Sequence, residues 1–91
     1  MAQSGQKTVT TAGTQVRLVA ASQVVNGPVA IQALSTNTGQ MYVGGSDVAS
    51  TNGFELDASE VVIFDFVGDL YEIWIDSAVN GEGVSWLVLT V

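Results

Sequence analysis

The sequence predicts an all-β fold: a small β-sandwich or partly closed barrel of about eight antiparallel strands, with a flexible N-terminal arm. Three observations lead there. Turn signals recur about every 8 to 12 residues between short β-branched and aromatic runs, the spacing of sandwiches and barrels. No window carries a helical period, apart from a single turn near Asp47 to Ser50. The 91 residues contain no linker, so one domain is expected, residues 8–91, behind an arm of residues 1–7.

The elements follow in order. Met1 to Lys7 is polar and lacks an apolar core, so it is neither a strand nor a secretory leader. Thr8 to Thr11 and Thr14 to Ala20 are β-branched runs on either side of Ala12-Gly13, a hairpin pattern. Asn26-Gly27-Pro28 is a turn signal, with proline at a permitted strand start. Val29 to Leu34 and Gln40 to Val43 are the next strands, and Gly44-Gly45 ends the second. Ser46 to Gly53 is a polar loop before the short strand Phe54-Glu55-Leu56. Asp57-Ala58-Ser59-Glu60 turns the chain into Val61 to Phe66, which Gly68-Asp69 breaks before a strand from Leu70 to Ile75. Asn80 to Gly83 is the last turn, and Val84 to Val91 the closing strand.

Two of these strands are apolar on both faces. Val62, Phe64 and Phe66 alternate with Val61, Ile63 and Asp65; Val84, Trp86 and Val88 alternate with Leu87, Leu89 and Val91. A strand of a lone two-layer sandwich has one wet face. Closure into a curved barrel or loops folded over the outside would explain the pattern, and so would a subunit interface at Val61, Ile63, Leu87 and Leu89. Trp74 and Trp86 are the large side chains that would anchor such an interface, because tryptophan is enriched at binding hot spots.

Composition points the same way. Hydrophobic residues make up 47% and charged residues 12% of the chain, about half the charged share of a typical soluble domain. A chain of this mass buries only about 63% of its unfolded surface, so a staple or an oligomer usually supplements the core. There is no cysteine for a disulfide, and no histidine or thiolate for a zinc-type site. Association of copies is the supplement left. The net charge of −7 comes from nine acids, all between Asp47 and Glu82, against Lys7 and Arg17. Such a surface disfavours nucleic acid and anionic membranes as partners. The two bases near the N-terminus would suit an arm that contacts an acidic neighbour. The longest apolar runs fall far short of the ~20 residues of a membrane-spanning helix, and the chain is expected to begin in a cytoplasm.

Catalytic constellations are hard to assemble from these residues. No histidine is present to activate a serine or threonine, and Lys7 is the sole lysine. At strand period Glu72, Trp74 and Asp76 share a face, a stripe able to stack on a sugar ring, though an ordinary solvated face has the same pattern. Acids around Asp65 to Asp69 and Asn80 to Glu82 supply oxygen for calcium, yet neither stretch has the spacing of an EF-hand loop. The glycines sit at strand ends, not before a helix that could cradle phosphate. No enzyme activity, cofactor or metal is expected.

From Val29 onward the sequence resembles small virion-structural proteins encoded beside the head genes of tailed bacteriophages. The residues that carry the resemblance are Val29 to Leu34, then Asn37 to Val48 with Met41-Tyr42-Val43-Gly44-Gly45 at their centre, and Gly53-Phe54-Glu55-Leu56 with Glu60 after it. Gly68-Asp69-Leu70-Tyr71-Glu72-Ile73-Trp74-Ile75-Asp76 and Gly81-Glu82-Gly83-Val84-Ser85-Trp86 complete the pattern, over about two-thirds of the chain. Ala58-Ser59 stands where that family often has Pro-Gly. The resemblance implies a capsid decoration (cement) protein on the virion surface, a homo-oligomer, trimeric by preference, bound to the major capsid protein. A tail or baseplate subunit is the alternative it implies, and a carbohydrate-binding module a more distant one.

Overall fold

The structure, a computed structural model, describes residues 2–89. Its strands are β1 (Gln3–Val9), β2 (Val16–Arg17), β3 (Val24–Ala33), β4 (Met41–Gly44), β5 (Phe54–Leu56), β6 (Val61–Asp69), β7 (Trp74–Ser77) and β8 (Glu82–Val88). They form two four-stranded antiparallel sheets. Sheet A has the order β1-β8-β3-β6 and sheet B the order β2-β7-β4-β5, so the fold is a sandwich and not a closed barrel.

Alternation along β3 shows how the core is built. Val25, Val29, Ile31 and Ala33 are buried, while Val24, Asn26, Pro28 and Gln32 are exposed. The inner row of sheet A meets Met41, Val43, Leu56 and Ile75 from sheet B, with Leu18 and Leu70 closing the ends. Each fully buried Ile or Leu here contributes about 1.5–3 kcal/mol relative to exposure.

Four sequence expectations are corrected. The expected arm is largely strand: Gln3–Val9 pairs antiparallel with β8, from Gln3 opposite Val88 to Val9 opposite Glu82. Backbone pairing holds this polar segment, anchored by the wholly buried Val9. Ala12-Gly13 does turn the chain, with Thr14 N–H donating to Thr11 O at 3.0 Å, but it joins no hairpin. It carries the chain from sheet A to sheet B, and of the expected run from Thr14 to Ala20 only Val16–Arg17 is strand.

Asn26-Gly27-Pro28 lies within β3. The bond from Ala33 N–H to Glu60 O fixes the odd-numbered residues of β3 as those that bond to β6. The missing N–H of Pro28 therefore points away from β6, just past the last β8 partner at Val29, and breaks no ladder bond. Nor does Gly68-Asp69 end the sixth strand. β6 runs through to Asp69, whose carboxylate accepts from Tyr71 N–H and caps a 3-10 turn at Leu70–Glu72 where a strand was expected. The closing strand ends at Val88; Thr90 and Val91 lie outside the described residues.

Candidate functional site

The two outer faces of the sandwich are treated differently. On sheet B, Tyr42 and Asp76 point outward, yet they are only 6% and 2% exposed. Loops cover them. Gly13 N–H donates to Asp76 Oδ1 at 3.0 Å from the loop after β1, and Ala12 N–H donates to Asn80 Oδ1 at 2.7 Å. From the loop after β4, the buried Val48 lies over Gly44. The loop covering considered for the two-faced apolar strands is thus found on the opposite sheet.

Sheet A's outer face has no such cover at its centre. Register places Ser4, Leu87, Ala30 and Ile63 in one outward row across β1, β8, β3 and β6; Gln6, Ser85, Gln32 and Val61 form the next. None of these eight positions carries a charge, in a chain of net charge −7. Ile63 is 66%, Val61 51% and Leu87 43% exposed, and Leu89, just past β8, is 62% exposed. Between the rows lies a shallow depression of about 180 Å³ lined by Ala30, Gln32, Val61, Ser85, Trp86 and Leu87. Small-molecule sites usually run from about 300 to 1,000 Å³ and enclose their ligand, so this feature suits a surface contact better.

Val61, Ile63, Leu87 and Leu89 therefore lie where the alternation put them, exposed on one sheet. The tryptophans do not join them. Trp86 shares the inner face with Ile31, packs against the core, and lies under Gly5, whose added Cβ would meet the indole at 2.9 Å. It anchors β1. Trp74 is on sheet B, half-buried under Arg17, whose guanidinium is 4.6 Å from the Trp74 ring and 3.8 Å from the Tyr71 ring. Arg17 also donates to Tyr71 O at 2.6 Å. Arg17 thus belongs to an aromatic stack and not to an arm, and Lys7 lies half-buried in β1.

The acids are used as fasteners. Asp69 accepts from Ser22 Oγ–H, from Gln23 N–H at 2.7 Å and from Tyr71 N–H at 2.9 Å. Its carboxyl is held below its ordinary range, chiefly by the Ser22 bond and then by the two backbone donors. Glu82 accepts from Thr38 N–H and from Gly39 N–H at 2.9 Å, and the Thr38 amide is the main cause of its lowered pKa. Asp76 accepts from Ser77 N–H at 2.8 Å besides Gly13. Its burial dismantles the expected Glu72–Trp74–Asp76 platform, since only Glu72 of the three is exposed. Among the described residues no group of three acids comes together as a metal-ligand set.

Sequence reasoning missed Ala30, which joins Leu87 to Ile63, and the exposed Val24 and Phe54. Ala30 was legible in the alternation of β3 but is too small to stand out. Fold and surface together define a β-sandwich with one loop-covered face and one bare face, on which Val61, Ile63 and Leu87 are exposed and Asp65 supplies a charge in the next row. No protein-family model matches this sequence, and a search of curated proteins finds no match.

Proposed function

We propose that this chain is a structural subunit that works by assembly, and that its assembly is the capsid of a tailed bacteriophage, where it serves as a cement protein. The observation that carries this reading is the exposed apolar side chains Val61, Ile63 and Leu87 on the outer face of sheet A, beside a loop-covered sheet B. A small monomer with little charge gains nothing from leaving Ile63, Val61 and Leu87 in water; contiguous exposed apolar surface marks interaction sites. The resemblance of residues 29–86 to virion-structural proteins supplies the capsid, and with it the major capsid protein as partner. Cement subunits add contact area where shell subunits meet by weak contacts, which calls for a compact body and a docking face, not for a reactive group.

Two measurements test the reading. Co-sedimentation with expanded heads should deplete the free chain, and antibodies against it should label the shell of purified virions. Label confined to the tail would move the chain to the tail or baseplate; absence from virions would end the capsid reading.

A further inference from the structure

Three of the chain's four asparagines stand directly before a glycine: Asn26-Gly27, Asn52-Gly53 and Asn80-Gly81. Asparagine before glycine is the dipeptide most open to ring closure, because no Cβ shields the next backbone nitrogen from the side-chain amide. The structure treats the three pairs differently. Asn26-Gly27 lies inside β3, where Gly27 is opposite Phe66 and belongs to the odd-numbered residues that bond to β6. That ladder fixes the backbone in extended form. Asn52 has its amide held at both ends: Oδ1 accepts from Ala49 N–H at 2.7 Å, and Nδ2 donates to Asp47 O at 3.1 Å. Gly53 N–H donates to Ala49 O at 2.9 Å, and a Cβ on Gly53 would meet Tyr42 Cβ at 2.5 Å, so this loop is tightly packed.

Asn80-Gly81 is freer. Both residues are exposed in the connection from β7 to β8, and Gly81, at φ 80°, has open space where a Cβ would stand. Asn80 Oδ1 accepts from Ala12 N–H at 2.7 Å, and among the described residues its Nδ2 has no partner. Gly81 N–H donates at 2.7 Å to the carbonyl of Val9, the last residue of β1, and strand ends are where local opening costs least.

We infer that Asn80 is a self-modification site, the position at which this chain closes a succinimide and loses ammonia. When the Val9 bond opens, the Gly81 nitrogen gives up its proton to hydroxide and attacks Asn80 Cγ. A C–N bond forms, the Cγ–Nδ2 bond breaks, and ammonia leaves with a proton taken from water. The negative charge that develops on Oδ1 meets the Ala12 N–H already aimed at it, an arrangement that stabilises oxyanions. Water then opens the five-membered ring. Attack at Cγ leaves aspartate and attack at the main-chain carbonyl leaves isoaspartate; either adds one negative charge to the present −7. Isoaspartate also inserts one carbon into the main chain before Gly81. That displaces the two contacts, Ala12 N–H to Oδ1 and Gly81 N–H to Val9 O, that fasten this turn to the end of β1.

This chemistry needs no partner, so it stands apart from the capsid reading. The test holds the intact chain in mildly alkaline buffer and follows its peptides by mass spectrometry, where conversion of amide to carboxyl is read as a mass gain. Asn80 should convert about tenfold faster than Asn26 or Asn52, because each further hydrogen bond that must open slows the reaction several-fold. In concentrated urea the three pairs should react at similar rates, which assigns the difference to the fold. Asn26 or Asn52 keeping pace with Asn80 in the folded chain overturns the assignment, as does Asn80 surviving there while the unfolded chain is modified at it. The isoaspartate form should exchange the Ala12 and Gly81 amides faster than an Asn80→Asp variant, which keeps the main chain and a side-chain oxygen for Ala12. Equal exchange in the two forms overturns the unfastening of β1.

Discussion

Gly83→Ala tests whether the N-terminal segment is a working strand of the sandwich. Gly83 is buried in β8 opposite Thr8, and a Cβ added there would lie 2.2 Å from Lys7 O and 2.8 Å from Thr8 Cα. Both obstacles are backbone, so no side-chain rotation relieves the clash. Restoring ordinary contact requires β1 to withdraw by about 1 Å, which lengthens its neighbouring ladder bonds from about 2.9 Å to nearly 4 Å. Losing two or three such bonds costs about 2–3 kcal/mol at roughly 1 kcal/mol each. A domain of this size holds roughly 5–13 kcal/mol in all, so the loss is a substantial fraction. At about 4–8 °C per kcal/mol, the melting temperature should fall by about 8–24 °C. Thermal unfolding followed by circular dichroism measures the drop, and hydrogen exchange locates it in the amides of residues 3–9. Gly13→Ala is the control: its Cβ meets nothing within 4 Å, and only the left-handed φ of 88° opposes it. That penalty is about 1–2 kcal/mol and leaves the β1 amides protected. A Gly83→Ala protein that melts with the wild type and keeps those amides protected would refute the pairing of β1 with β8.

Three further outcomes are expected. Asn37, 8% exposed, donates to Gly83 O at 2.9 Å and accepts from Gly83 N–H at 3.3 Å; Asn37→Ala should cost about 1–3 kcal/mol in urea unfolding, because a buried amide loses its partner. Ser59 sits at φ 68°, a conformation that a glycine adopts without strain, so Ser59→Gly should raise stability by up to about 1 kcal/mol in the same assay. Asp69 and Glu82 have folded pKa values below their unfolded ones, so the stability they lend is complete above the ordinary carboxylate range and fades as pH falls through the lower folded values. Unfolding free energy measured against pH should decline on acidification, and Asp69→Asn with Glu82→Gln should flatten that decline.

The strands that were legible in the sequence are those whose identity is local. Val61, Ile63 and Leu87 alternate with core residues, and period two alone puts them on the outer face. Illegible elements depend on distant partners. Gln3 to Thr8 has little strand propensity and becomes β1 because β8 offers it a ladder and Gly83 lets it approach. Leu70 to Ile75 alternates like a strand, but Asp69 captures the Tyr71 amide and turns the chain first. Trp74 looked like an anchor for another subunit until Arg17, far away in sequence, was found stacked between it and Tyr71. Asp76 had a partner in Gly13 that no spacing rule could suggest.

What the fold requires and what it merely permits separate most clearly at Ile63. Its side chain is 66% exposed, so a lysine or glutamate there would disturb no core contact. Surface substitutions of that kind usually change stability by less than about 0.5 kcal/mol. Folding therefore does not explain an isoleucine there, nor Val61 two residues before it, nor Leu87 in the same outward row. Those residues instead put apolar side chains on an outer sheet face, where a lone antiparallel sandwich ordinarily carries polar ones. The explanation for them has to lie outside the single chain, and an assembly that covers this face provides one.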